Sequence, residues 1–248
     1  VRTPMPGLSG GMAGWAVWLA LAGGVLVVVA PVLHRVSVLP LGPALLAVPV
    51  GILISLVALL LSVTVLVGGR PMPAGRGRVL GAATFSALTG LVPILLVLPG
   101  LRAPAIHDIT TDLDTPPRFD AVVPLRAGAS NSLEHGGATV ADAQREAYPD
   151  VETLVLSRPL AQVVEQAREV AVAMGWEVVA ADAEAGRVEA TDTTGWFGFK
   201  DDVVVRVRGT DGGSVVDVRS VSRVGVGDLG ANAARIRAFL ERLAAPTD

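Results

Sequence analysis

The chain has 248 residues, 51% of them hydrophobic, with a formal net charge of −3 and a mean hydropathy of +0.57. A soluble domain is rarely so apolar, so membrane-spanning segments are expected. There is no Cys, which excludes disulfides, thiolate metal sites and Cys nucleophiles.

The charge is segregated. Residues 1–102 hold six Arg and no Asp or Glu, whereas the rest hold 14 basic and 23 acidic residues, a net charge of −9. Three apolar runs lie in the first part: Gly14–Leu33, Leu41–Val67 and Val79–Leu101. Each reaches the roughly 20 residues that an α-helix needs to cross the hydrocarbon core, and none holds an ionisable residue. Small residues recur four apart (Ala20 with Gly24, Ala83 with Ala87, Ser86 with Gly90), a spacing that lets spans pack closely. A transporter is disfavoured, because ion and substrate paths usually carry intramembrane charge. Arg70, Arg76 and Arg78 fall between the second and third spans, against His34 and Arg35 between the first and second. The positive-inside bias predicts a cytoplasmic N-terminus with Arg2 inside, and an extracytoplasmic C-terminal part, in an inner or plasma membrane. The first span is expected to be an uncleaved anchor rather than a signal peptide, as no small-residue cleavage site follows it.

Residues 1–101 are thus expected to form a membrane domain and 102–157 a Pro-rich lead-in, with Pro104, Pro116, Pro117, Pro124 and Pro149 breaking long helices. His107, Asp108 and Asp112 are too few for a closed metal site and read as structural or solvated polar residues at a membrane boundary, so no metal is expected. From 158 to 248 the periodicity becomes regular. A helix is predicted over Arg158–Met174, with Ser157 as N-cap and an apolar stripe from Leu160 to Met174. Strands follow at Trp176–Ala181, Arg187–Thr194, Asp202–Arg208 and Ser214–Val224, then a helix capped by Asp228. The expected fold is three transmembrane helices followed by an α+β domain. That domain is a two-layer sandwich with a four-stranded antiparallel sheet in the order α-β-β-β-β-α. Alternation turns Val203, Val205, Val207, Val216 and Val218 toward the helices, and Arg206, Arg208, Asp217, Arg219 and Arg223 onto an opposite, charged and exposed face.

Gly225-Val226-Gly227-Asp228-Leu229-Gly230 matches G-x-G-x-x-G, the dinucleotide spacing. The strand before it is half polar and only 18 residues follow, too few for a second strand. Asp228 would also put a carboxylate where a pyrophosphate must sit. The glycines therefore read as a strand-to-helix turn, and no nucleotide or other cofactor is expected. Nucleic-acid binding is disfavoured by the acidic second part and its single Lys. No His lies near enough in sequence to complete a Ser-His-Asp set, and adjacent Asp201 and Asp202 point to opposite sheet faces. The catalytic residues, if any, are unassigned. Candidate interaction or anion-binding residues are Lys200, Asp201, Asp202, Arg206, Arg219 and Arg223 on the sheet, with Trp196, Phe197 and Phe199 of the W-F-G-F turn. Those rings either plug the end of the core or touch lipid headgroups or a partner.

Several runs carry a family resemblance: D-I-T-T-D, P-P-R-F (116–119), Q-R-E-A-Y-P-D (144–150), M-G-W-E-V-V-A-A-D (174–182), W-F-G-F-K-D-D-V-V-V-R-V and V-D-V-R-S-V-S-R-V-G followed by D-L-G-A-N-A-A-R-I-R. Together, over about His107–Leu243, the chain resembles the domain of unknown function 1499. The resemblance implies a bacterial-type envelope or membrane-associated protein and brings no substrate, cofactor or catalytic residue. The expected function is a non-catalytic envelope protein, held in the lipid bilayer, that binds another envelope protein or an envelope component. The alternatives are a hydrolase or transferase using Lys200–Asp202 with Arg219 and Arg223, and a lipid-binding module with a cavity lined by Val203, Val205, Val216 and Val218.

Overall fold

The structure, a computed structural model, describes residues 8–68 and 75–245. Arg2 and Arg70, two of the arginines behind the expected orientation, lie outside the described residues. The chain folds as two compact units: the part up to Pro99 together with Gly195–Gly198, and Gly100–Thr194 together with the part from Phe199 on.

Three helices open the first unit: α1 (Leu8–Arg35), α2 (Leu41–Val67) and α3 (Arg76–Val97). A 3-10 turn at Leu98–Arg102 prolongs the third. All three are long and apolar enough to cross a membrane. Small residues are buried between them (Ala16, Ala20, Ala44, Ser55, Ala58, Ser86), while Trp15, Trp18, Leu46, Leu53 and Leu60 are exposed. Lipid tails are as apolar as Leu, so such helices gain by close backbone approach rather than by hiding large side chains. A Cβ on Gly23 would stand 2.8 Å from the Gly51 carbonyl oxygen, and one on Gly24 would overlap the Phe85 ring. The Ser55 and Thr89 hydroxyls meet at 2.9 Å in this bundle.

The second unit is built on one antiparallel sheet of β1 (Asp108–Thr110), β2 (Leu154–Leu156), β3 (Glu177–Asp182), β4 (Arg187–Thr193), β5 (Lys200–Thr210) and β6 (Gly213–Ser222). The order is β1-β6-β5-β4-β3, with β2 also on β6. The sheet therefore has six strands, not the expected four. The two additional strands are three residues long, too short to show a period-two pattern, and lie within the segment expected to be a lead-in. They lie end to end along the outer edge of β6, pairing Asp108 with Val221 and Leu156 with Ser214. An open edge there would leave a row of unpaired amides and carbonyls. Gly213 permits the approach: at φ 149° a Cβ would fall 2.0 Å from the Leu156 carbonyl oxygen.

Helices α5 (Leu160–Ala173) and α6 (Ala231–Ala244) cover one sheet face. Val163, Ala167, Ile236 and Phe239 join Val203, Val205, Val216 and Val218 in one core. Those four valines, expected to line any lipid cavity, are at most 1% exposed and packed into it. Trp176 stacks on Phe239 at 5.3 Å between ring centroids. Pro159, rather than Ser157, is the N-cap of α5; its extended backbone (φ −61°, ψ 149°) precedes the first helical residue.

Between β1 and β2 runs α4 (Gly137–Ala147). Its Gln144 acts as a further strand partner: Nε2 donates to the Thr110 carbonyl at 2.6 Å, and Oε1 accepts from the Thr110 amide at 3.0 Å. Replacing Gln144 by Ala strands both buried groups of β1. We expect a loss of about 1–3 kcal/mol in denaturant unfolding of the detergent-solubilised protein.

Candidate functional site

The sheet face opposite α5 and α6 carries the polar residues that alternation put there, but it is not a solvated surface. Residues 111–135 cross it, and Glu189, Asp202 and Asp217 beneath them are 0% exposed. The expected exposed charged face is corrected on this point. Burial is tolerable because every carboxylate is neutralised and hydrogen-bonded.

Arg219 forms the most complete set. Its Nε and Nη2 donate to the two oxygens of buried Asp108 at 2.9 and 2.7 Å. Nη1 donates to the Pro117 carbonyl, Nη2 also to that of Leu133, and the guanidinium lies 5.3 Å from the centroid of the Phe119 ring. Asp202 accepts from Arg223 Nε at 3.0 Å and Nη2 at 2.8 Å, from the Thr191 hydroxyl at 2.8 Å, and from Arg126. Asp217 accepts from Arg206 Nη2 at 2.8 Å, Arg208 Nη2 at 2.7 Å and the Thr153 hydroxyl at 2.6 Å. Arg206 also reaches Asp112 at 2.8 Å. Burial pushes the Asp112 carboxyl up, but bonds from Thr115 and Arg206 outweigh it and hold the group below its ordinary range. Glu189 takes the backbone amides of Asp120 and Val122 at 2.9 and 3.0 Å, pinning the crossing segment directly.

Asp201 points the other way, as alternation requires. It meets Arg235 of α6 at 2.6 Å, and Arg235 also donates to Asp192 at 2.8 Å. Asn232 bridges Ser220, Ser222 and the His107 carbonyl. The N-A-A-R run thus docks α6 on β5 and β6. Lys200 is exposed, Asp201 and Asp202 lie on opposite faces, and Arg219 is committed to Asp108. The set suggested for a hydrolase or transferase is therefore divided among four places, with only Asp202 and Arg223 together.

The W-F-G-F turn splits. Phe197 is buried, 6.3 Å from the His34 ring by centroids, while Trp196 is 38% exposed. Arg35 Nη1 donates to the Gly195 carbonyl at 2.6 Å. Phe199 is half-buried, and the Thr194 and Phe199 backbones close the turn at 2.8 Å. The G-x-G-x-x-G run joins β6 to α6 as expected. Gly230 (φ 85°), rather than Asp228, is the N-cap of α6; the Asp228 carboxylate, two residues before it, accepts from the amides of Gly230 and Asn232, both at 2.8 Å.

One concavity of about 600 Å³ lies beside this turn, lined by His107, Asp108, Ser130, Asn131, Glu134 and Val226 among others. That is the size of a small-molecule site. His135 borders its wall in sequence, and its buried Nε2 has no hydrogen-bond partner. Burial lowers the His135 pKa; Asp108 opposes this and Arg219 adds to it.

The family model for a protein of unknown function, DUF1499, matches residues 108–243, more than half of the chain. The chain belongs to the DUF1499 family. No curated protein matches it. The match begins at β1 and ends in α6, so the DUF1499 domain includes the crossing segment as well as the regular sheet. Sequence reasoning missed Arg126, Glu189, Asn232 and Arg235 as organisers, and left Asp108 and Asp112 open between structural and solvated residues; the structure makes them structural. One available signal was the composition: 19 Arg against a single Lys favours planar, bidentate pairing over a merely solvated face.

Removing one partner of a buried pair leaves an uncompensated charge. Arg219→Ala and Asp108→Ala are each expected to cost about 3–5 kcal/mol in denaturant unfolding. The double variant Asp108→Leu/Arg219→Met should cost much less than the sum of the two.

Burial disfavours the charged form of His135 in the fold and lowers its pKa, so its contribution is complete above its unfolded pKa of about 6.5 and falls as pH drops below that value toward the folded one. Stability should therefore decline between pH 7 and 5, and His135→Gln should flatten that decline in unfolding curves at the two pH values.

Proposed function

We propose that the DUF1499 domain is the extracytoplasmic part of an integral envelope protein, with residues 1–101 as its anchor. It binds another envelope protein or an envelope component and carries out no reaction of its own. The observation that carries this reading is the commitment of the sheet's charged groups to one another. Asp108, Asp202, Asp217, Arg219 and Arg235 hold the fold together. What remains open to a ligand is the cleft beside His107 and the half-exposed Trp196. A concave site of ligand size and an exposed indole are the usual ingredients of recognition.

The orientation is supported by Arg76 and Arg78, which are exposed at the start of α3, on the side that the positive-inside bias assigns to the cytoplasm. Because the chain has no Cys, single cysteines report topology cleanly. Asp211→Cys, in the β5–β6 turn, should react with a membrane-impermeant maleimide in intact cells, and Gly75→Cys only after permeabilisation. The opposite pattern would invert the proposed orientation. For binding, photo-crosslinking amino acids at Ser132, in the cleft wall, and at Trp196 should each capture a discrete adduct in intact cells. Adducts no different from those at exposed Asp182 would sink the binding reading, as would turnover of an ester, peptide or glycan by the purified full chain.

A further inference from the structure

The turn from Gly225 to Gly230 exposes two apolar side chains, of which Val226 also borders the cleft and Leu229 does not line it. Val226 is 80% exposed and Leu229 50%. Leu229 is also held at φ 56°, a left-handed backbone that a branched residue without a Gly or Asn character seldom adopts. The loop is not loose. Asn131 Nδ2 donates to the Gly225 carbonyl at 2.9 Å, His107 Nδ1 lies 3.2 Å from that of Val226, and the Asp228 amide donates to the Ile106 carbonyl at 3.2 Å. Gly227 packs so closely on Ala105 that a Cβ would stand 3.1 Å from its Cα.

Its seat is informative. The third candidate span runs from Arg76 to Arg102. At its end, a Cβ on Gly100 would fall 2.6 Å from the Leu229 carbonyl oxygen and 2.7 Å from the Leu229 Cβ. The neighbouring Leu101 is 65% exposed. Leu229 therefore lies against Gly100, two residues from the end of the third candidate span along the chain. Exposed apolar side chains at that level meet the boundary between acyl chains and headgroups rather than bulk water. The carbonyls of Gly225 and Val226 and the amides of Asp228 and Gly230 are satisfied within the fold, so the turn approaches apolar surroundings with these backbone groups already paired.

We propose that Val226 and Leu229 form a wedge inserted into the bilayer interface, a second and non-spanning membrane contact of the DUF1499 domain. The occupant of this apolar patch is lipid, by continuity with Gly100 and exposed Leu101, at the end of the third candidate span. The inference rests on the membrane anchoring of the chain and not on the existence of a partner.

The full-length protein is reconstituted in vesicles of phosphatidylethanolamine and phosphatidylglycerol, with an environment-sensitive fluorophore on a single cysteine. Val226→Cys is compared with Leu101→Cys at the span end and Asp211→Cys at the β5–β6 turn. The Val226→Cys label should be quenched by acyl chains carrying a nitroxide near the headgroup several-fold more than the Asp211→Cys label, approach the Leu101→Cys label, and resist aqueous iodide. Iodide quenching equal to that of Asp211→Cys would overturn the wedge, and so would protection from both quenchers, which means cover by protein. No partner is present in the vesicles, so either failure leaves the crosslinking test of binding independent.

Discussion

Asp202 is fully buried in the middle of a sheet, with guanidinium groups from Arg223 and Arg126 on its two oxygens. A carboxylate in that position is costly unless its partners are fixed in place. Arg223 comes from the end of β6, but Arg126 comes from the irregular segment that crosses the face. The segment is therefore a structural requirement of the sheet and not a connector. It brings Pro117, Phe119 and Leu133 onto Arg219, and its own amides are taken up by Glu189. Sheet and segment each supply what the other lacks: charge partners for one, hydrogen-bonding partners for the other.

This mutual dependence also explains the edge of the sheet. Asp108, which holds Arg219, sits on β1, so the ion pair and the strand pairing of β1 on β6 form together. Gln144 then closes the far side of Thr110. The other sheet face works differently. There the valines of β5 and β6 bury apolar area against α5 and α6, with the Asp201, Asn232 and Arg235 cluster at one end and the Ser214 hydroxyl on the Arg158 carbonyl at the other. One domain thus has an apolar interior on one side of its sheet and an ionic interior on the other.

The consequence for function is that residues which look like site residues are the fold's own fastenings. Charged groups that pair internally with good geometry have little capacity left for a ligand. The cleft beside His107 and the apolar side chains of Val226 and Leu229 are of another kind, because they stay open on the surface of the domain. Such surfaces are where recognition and membrane contact are to be sought.

The sequence by itself determined three helices long and apolar enough to cross a membrane, because length and apolar composition are local properties of the chain. It also determined α5, α6 and the four longer strands, whose side-chain periods are local properties of the chain. The opposite directions of Asp201 and Asp202 and the turn at Gly225–Gly230 followed from the same local rules. It did not determine that β1 and β2 exist, since three residues carry no period and their hydrogen bonds come from β6. Nor did it determine which charges are buried. Alternating Arg and Val reads identically for a solvated face and for an ionic interior, and the difference lies in partners far along the chain. Asp108 and Arg219 are 111 residues apart, Asp112 and Arg206 are 94 apart, and Arg126 and Asp202 are 76 apart. Only the tertiary structure brings such pairs together, and whether a charge is a site or a fastening depends on that meeting.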